Sequence, residues 1–142
     1  MRVKTRAVIW IDGQLIVAQQ SRRGRPELSL PGGRVNDHES VLDALRREVA
    51  EETGLEVAPQ RLLYVSEVPG RRRPHSLELI FLAEPTGVPT LRPGLKAIDL
   101  TSAGDHPPIR PAIVQDILAD ANSAWRDTPR WLGRLPVDRM FE

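Results

Sequence analysis

GRVNDHESVLDALRREVAEETGL runs from Gly33 to Leu55 and holds the strongest helical pattern in the chain. From Ser40 onward the apolar residues Val41, Leu42, Leu45 and Val49 recur at helical spacing, and Gly54 supplies a left-handed stop. Ser40 with Asp43 makes a capping pattern, so a helix is predicted over residues 39–53. Within it Glu48, Glu51 and Glu52 stand at i, i+3 and i+4, which places three carboxylates on an arc of about 100° of one helix face. Like charges at such spacings cost roughly 0.2–0.5 kcal/mol per pair in an isolated helix, and no Lys lies in 39–55 to relieve them. Arg47, one turn before Glu51, can pair with it, which leaves Glu48 and Glu52 without a partner inside the helix. A hard divalent cation such as Mg²⁺, Mn²⁺ or Ca²⁺ would neutralise them and points to phosphate chemistry. A solvated acidic face satisfies the same spacing, which by itself does not choose between the two.

Upstream, Val3, Thr5, Ala7, Ile9 and Ile11 alternate along one face of a strand, and Asp12-Gly13 offers a hairpin turn into a second strand at Leu15–Ala18. Ser21–Glu27, Arg-rich and broken by Gly24 and Pro26, is predicted as an exposed loop. Downstream, Arg61–Val68 and Ser76–Ala83 read as strands joined by Pro69–Pro74, residues 84–95 as a loop, and Lys96–Leu100 as a further short strand. Pro111 suits the first turn of a second helix with a stripe of Ile113, Val114, Ile117, Leu118 and Ala121, ending near Asn122.

The whole chain has 142 residues, 20 Lys+Arg against 19 Asp+Glu, no Cys, and 40% hydrophobic residues, which suits one compact domain. Eighteen of the 20 basic residues are Arg, whose planar fork matches phosphate and carboxylate. The near-neutral balance argues against general nucleic-acid binding. Without Cys there is no disulfide framework, thiolate zinc site or cysteine nucleophile, so a metal must sit on oxygen or imidazole. Apolar runs such as Ala7–Ile11 and Leu79–Ala83 are far shorter than the roughly 18 residues of a membrane span, and the chain opens on a strand pattern without a signal-peptide core, so the expected location is the cytoplasm.

Gly33, five residues, Glu39, seven residues, then Arg47-Glu48-Val49-Ala50-Glu51-Glu52-Thr53-Gly54-Leu55 resembles the Nudix box, the 23-residue motif of the Nudix hydrolases, at every fixed position. A chance match to seven named and two aliphatic positions falls below about one in a million in a chain this short. The resemblance implies an α/β/α sandwich, with a mixed β-sheet between helices and the box forming a loop-helix-loop. The expected Nudix domain covers residues 1–124, and 125–142, carrying Trp125, Trp131 and Phe141, is expected to pack as a tail on the domain or on the partner subunit of a homodimer.

The resemblance further implies Mg²⁺-dependent attack of water on a phosphoanhydride bond of a nucleoside diphosphate linked to another group, with Mn²⁺ as the alternative cation. Carried over by position, Glu48, Glu51 and Glu52 form the metal-binding set, joined by the backbone carbonyl of Gly32. Arg47 orients a glutamate, and Glu39 supports the metal site or its water, unless its charge simply favours the helix N-terminus. Glu51 or Glu52 accepts the proton of the water. Arg22, Arg23 and Gly33 are the substrate-binding candidates, the arginines because bidentate donors suit phosphate. The substrate is a small nucleotide derivative: a nucleoside triphosphate, a nucleotide sugar or a dinucleoside polyphosphate. The rival reading is a nucleotide-sensing module that binds such a ligand without cleaving it.

Some features depart from the family pattern. Leu28 stands where many relatives have Trp, and Asn36-Asp37-His38 replaces a common Glu-Pro-Gly. Some relatives draw a fourth acidic group from the loop before the last strand, whereas Leu91–Lys96 has no carboxylate, which leaves Glu67, Glu78 and Glu84 as alternatives. Arg71-Arg72-Arg73 reads as a solvated hairpin tip, and Trp10, Trp125 and Trp131 as packing residues.

Overall fold

A computed structural model describes residues 1–70, 74–87, 92–101 and 106–135, Arg22 by its backbone alone. Arg71–Arg73, Leu91 and Phe141 lie outside the described residues. In chain order the elements are β1 (Arg2–Val8), β2 (Trp10–Ile11), β3 (Gln14–Arg22), β4 (Arg25–Ser29), β5 (Gly32–Arg34), α1 (Val41–Thr53), β6 (Val57–Val68), β7 (Ser76–Pro85), β8 (Leu95–Ile98), β9 (Ile109–Arg110), α2 (Val114–Asn122) and β10 (Arg130–Arg134). The α/β sandwich is as expected, and its strands divide into two mixed sheets. One has the order β10-β6-β7-β1-β5; the other runs β2-β3-β4-β9, with β8 on the free side of β3.

The break at Ile9 between β1 and β2 lets consecutive residues serve both sheets. Val8 joins a core between the sheets with Leu15, Val17, Leu28, Leu30, Tyr64, Ile80 and Ile109, closed by Ile113 and Ile117 around α2. Ala7 and Ile9 join a second core with Ile16, Leu45, Val49 and Val57, where α1 covers the other side of the first sheet. The predicted alternation therefore holds for the fully buried Thr5, Ala7 and Ile9, while Val8 is buried as well because both faces of β1 are covered.

The Asp12-Gly13 turn is present, with φ of 51° and 76° between the paired residues Ile11 and Gln14. The exposed loop predicted at Ser21–Glu27 is replaced by a second hairpin of the same kind. Arg23 and Gly24 have φ of 51° and 74°, and the ladder continues through Arg22 opposite Arg25 and Ser21 opposite Pro26. Such mirror-image turns match the strand twist. Pro26 is tolerated because β4 meets β9 only at Leu28 and Ser29, leaving one flank at Pro26 without a described neighbour.

At the far end, β10 pairs in parallel with β6, placing Arg130 beside Tyr64. The Tyr64 hydroxyl donates to Asp120 Oδ2 at 2.7 Å, and Arg130 donates to the same oxygen from Nη2 at 2.8 Å and Nε at 3.2 Å. Arg130 also reaches Asp116 at 2.9 Å. Burial works to raise the Asp120 pKa, but the hydrogen bonds from Tyr64 and Arg130 outweigh it and hold the carboxyl below its usual range. This clamp fastens α2 to the first sheet. Trp125 packs against the core between the sheets, while Trp131 is exposed. Among the described residues no helix is long and apolar enough to cross a membrane.

Candidate active site

Helix α1 forms where its sequence pattern places it. Ser40 is its N-cap, its hydroxyl accepting from the Asp43 N–H at 3.1 Å, and Gly54 ends it at φ 72° with its N–H on Ala50 O. Ala44, Leu45, Val49 and Thr53 are buried, whereas Leu42, expected in the apolar stripe, is exposed. The stripe thus leaves the Arg47, Glu48, Glu51 and Glu52 side free to form a site.

Arg47 organises that side. Its Nη2 and Nε donate to the two carboxylate oxygens of Glu39 at 2.6 and 3.0 Å, and Nη2 also donates to Arg34 O at 3.1 Å. Nη1 donates to Glu48 Oε1 at 3.0 Å and to both Glu51 oxygens at 3.4 Å. The predicted pairing with Glu51 is therefore the longest of its contacts. Glu48, expected to lack a partner in the helix, has one, because one guanidinium nitrogen serves both acids. Glu39 does not cap the helix: it accepts from the Asn36 N–H at 2.8 Å and grips Arg47. The hydrogen bond from Arg47, then that from Asn36, lowers its pKa, and the same partnership raises that of Arg47.

Two adjacent glycines bring β5 against this face. Gly32 has φ 147°, and a Cβ there would overlap the Thr5 carbonyl of β1, so only glycine permits the close approach of β5 to β1. A Cβ on Gly33 would stand 2.6 Å from the Glu48 carboxylate, which occupies the space the missing side chain leaves. The Gly32 N–H donates to Glu52 Oε2 at 3.1 Å. Burial pushes the Glu52 carboxyl up, partly offset by that N–H and by the charge of Arg6, while Glu48 and Glu51 add to the rise.

Arg6 was not singled out in the sequence. It lies opposite Gly32 in the β1–β5 pairing, with Nε donating to Glu78 Oε1 at 2.8 Å and Nη1 to Leu30 O at 3.2 Å and Gly32 O at 3.5 Å. A strand pattern marks position 6 only as facing away from Thr5, so no signal in the sequence connects it to residues 30–32 or 78. Glu78, one of the alternatives for an additional acid, is engaged at both oxygens, since Ser76 Oγ donates to Oε2 at 3.2 Å. Arg23 is exposed in the β3–β4 turn.

Glu48, Glu51 and Glu52 lie on one side of α1, yet among the described residues no three acidic or imidazole side chains converge as ligands of one ion. Each acid has a different attachment: Glu48 on Arg47 over Gly33, Glu51 mostly in solvent, Glu52 on the Gly32 N–H. The donor set is nonetheless all oxygen and anionic, and Gly33 leaves the room that Glu48 fills, which fits a hard divalent cation.

The NUDIX domain family profile matches residues 1–112. The 8-oxo-dGDP phosphatase NUDT18 of Danio rerio is 36% identical over 129 residues, covering 87% of this chain and 38% of the relative. The protein of that name from Homo sapiens is 41% identical over 76 residues, 54% of this chain and 22% of the relative. The chain therefore spans well under half the length of these curated relatives. The crystal structure of an ADP-ribose pyrophosphatase from Streptococcus suis aligns with a TM-score of 0.65 at 25% identity, covering 95% of this chain and 98% of that one. A profile match over this much of the chain, on the very helix where Arg47 gathers its acids, shows that the chain belongs to the Nudix hydrolase family.

Proposed function

We propose that the chain is a pyrophosphohydrolase that cleaves a phosphoanhydride bond of a nucleoside diphosphate derivative with Mg²⁺, or Mn²⁺ in its place. Supporting this reading above all is the carboxylate side of α1, braced by Arg47 and set against Gly32 and Gly33. Nudix hydrolases generally use divalent metals, and here Glu48, Glu51 and Glu52, with the Gly32 carbonyl, would hold one. When bound, the cation supplies charge neutralisation for the diphosphate oxygens and for the leaving phosphate.

The chain's own groups divide the remaining work. Arg47 fixes Glu48 and ties it to Glu39, so that the acids keep their places in spite of mutual repulsion. Of the two candidates for accepting the proton of the attacking water, Glu52 is the better placed. It is half-buried, held by a backbone N–H, and raised in proton affinity, whereas Glu51 is exposed. Arg22 and Arg23, at the end of the β3–β4 hairpin, supply positive charge for a substrate phosphate.

Because the relatives include 8-oxo-dGDP phosphatases and an ADP-ribose pyrophosphatase, the substrate panel combines 8-oxo-dGDP and ADP-ribose with nucleoside triphosphates, nucleotide sugars and dinucleoside polyphosphates. Product release with Mg²⁺ is expected from at least one of them, and Glu52→Gln should lower it by at least about a hundredfold with the fold retained. Unchanged Mg²⁺-dependent hydrolysis in that variant would defeat the assignment. Tight binding without product from any compound would point to a nucleotide sensor instead.

A further inference from the structure

Glu78 is a buried carboxylate, 2% exposed, that the hydrolytic reading does not use. A buried charge is tolerated only when paired and hydrogen-bonded, and both its oxygens are so engaged, by Arg6 Nε at 2.8 Å and Ser76 Oγ at 3.2 Å. The parallel register of β1 and β7 sets Lys4 beside Glu78 and Arg6 beside Ile80, so Arg6 and Glu78 extend from the same sheet face. From there the guanidinium turns its Nη1 to the Leu30 and Gly32 carbonyls. The N–H of the same Gly32 holds Glu52. Gly32 thus links the two: its carbonyl faces a fixed positive charge, and its N–H holds a carboxylate proposed to bind a cation.

We propose that Glu78 is a positioning residue: it holds the Arg6 guanidinium by its Nε, with Nη1 on the Leu30 carbonyl, and so keeps Arg6 from pairing with the Glu52 carboxylate and leaves Glu52 to the divalent cation. The inference rests on the assignment of Glu52 to the cation site. Without the Glu78 charge, Arg6 loses the ion pair that holds it, and Glu52, tied to the other side of Gly32, becomes a competing anionic partner. Pairing there would occupy a ligand, and even unpaired the charge would repel an incoming cation.

Mn²⁺ binding without nucleotide, followed by the paramagnetic resonance signal of the free ion, tests this apart from turnover. Glu78→Gln should raise the Mn²⁺ dissociation constant about tenfold, the order expected of one uncompensated charge at a half-buried site. The double variant Arg6→Gln with Glu78→Gln, which removes both charges, should return to within about threefold of wild type. A Glu78→Gln value within twofold of wild type, or a double variant as weak as the single one, overturns the proposal. If Glu78→Gln does not fold, Arg6→Gln serves alone: binding as tight as wild type or tighter supports the proposal, and threefold weaker binding overturns it. Wild type that binds Mn²⁺ no better than Glu52→Gln would remove the site assignment itself, and this inference with it.

Discussion

Replacing Gly33 by Ala puts a methyl group where the Glu48 carboxylate now lies. A Cβ at that position stands 2.6 Å from Glu48 Cδ and Oε2 and 2.8 Å from Oε1. Non-bonded contacts are comfortable only near about 3.5 Å, so the carboxylate must retreat by roughly 1 Å. It can do so, because it ends a flexible side chain, and Gly33 is not among the positive-φ glycines, so alanine is unstrained there. The folded state should therefore lose no more than about 1 kcal/mol. Activity should not be spared, since displacing a group at the reacting centre by about 1 Å can cost about 100-fold. Initial hydrolysis rates on the best substrate, measured beside thermal unfolding, should show a melting temperature within a few degrees of wild type and a rate down about 100-fold. Gly32→Ala makes the contrast: its Cβ meets the backbone of Thr5 at φ 147° and nothing there can yield, so about 3 kcal/mol or more of stability should go. A Gly33→Ala enzyme within threefold of the wild-type rate, or one that melts as early as Gly32→Ala, would refute the reasoning.

Asp120→Ala should destabilise the chain by about 2 kcal/mol, because it takes one of the two carboxylates from Arg130, which keeps Asp116, and strands the buried Tyr64 hydroxyl, whereas Tyr64→Phe should cost about 1 kcal/mol. Urea midpoints give both values, and an Asp120→Ala loss no larger than that of Tyr64→Phe would show that the clamp does not fasten α2. Stability should also fall in acid. Glu39 and Asp120 have folded pKa values below their ordinary 4.5 and 3.8, so the unfolded chain binds more protons there, and their contribution is present above those values and lost as pH drops through the lowered ones. Glu52, raised above 4.5, acts in the opposite sense: it favours the folded state below that pH and loses this as pH rises through its raised pKa. Midpoints measured from pH 7 to about pH 3 should decline below about pH 4.5; a flat profile would contradict the net sign.

The helix and its acidic face were legible because every signal they depend on is local. Ser40, the Val41 to Val49 periodicity and Gly54 set its limits, and the Glu48-Glu51-Glu52 spacing is a property of helical geometry alone. The partners of those acids were less so. Arg47 was read through its i,i+4 neighbour, yet its shortest contact is with Glu39, eight residues back across the N-cap, and loop geometry determines that contact. Arg6 and Glu78 are 72 positions apart and meet only because β1 pairs with β7 in parallel. At residues 21–27 Gly and Pro signalled a loop, but Gly24 supplied the positive φ of a two-residue turn and the strands carried on around it. Asp120 lies outside the apolar stripe predicted for α2 and was not singled out; it is buried because Tyr64 and Arg130, on strands β6 and β10, come to meet it.

The grip of one guanidinium on Glu39, Glu48 and Glu51 means that the chain carries its own counter-ion. Proteins whose ligand acids repel one another until metal arrives depend on that metal to fold, and chelators unravel them. Here Arg47 offsets the repulsion among Glu39, Glu48 and Glu51, so on the proposed function chelation should abolish hydrolysis while leaving the melting curve almost where it was.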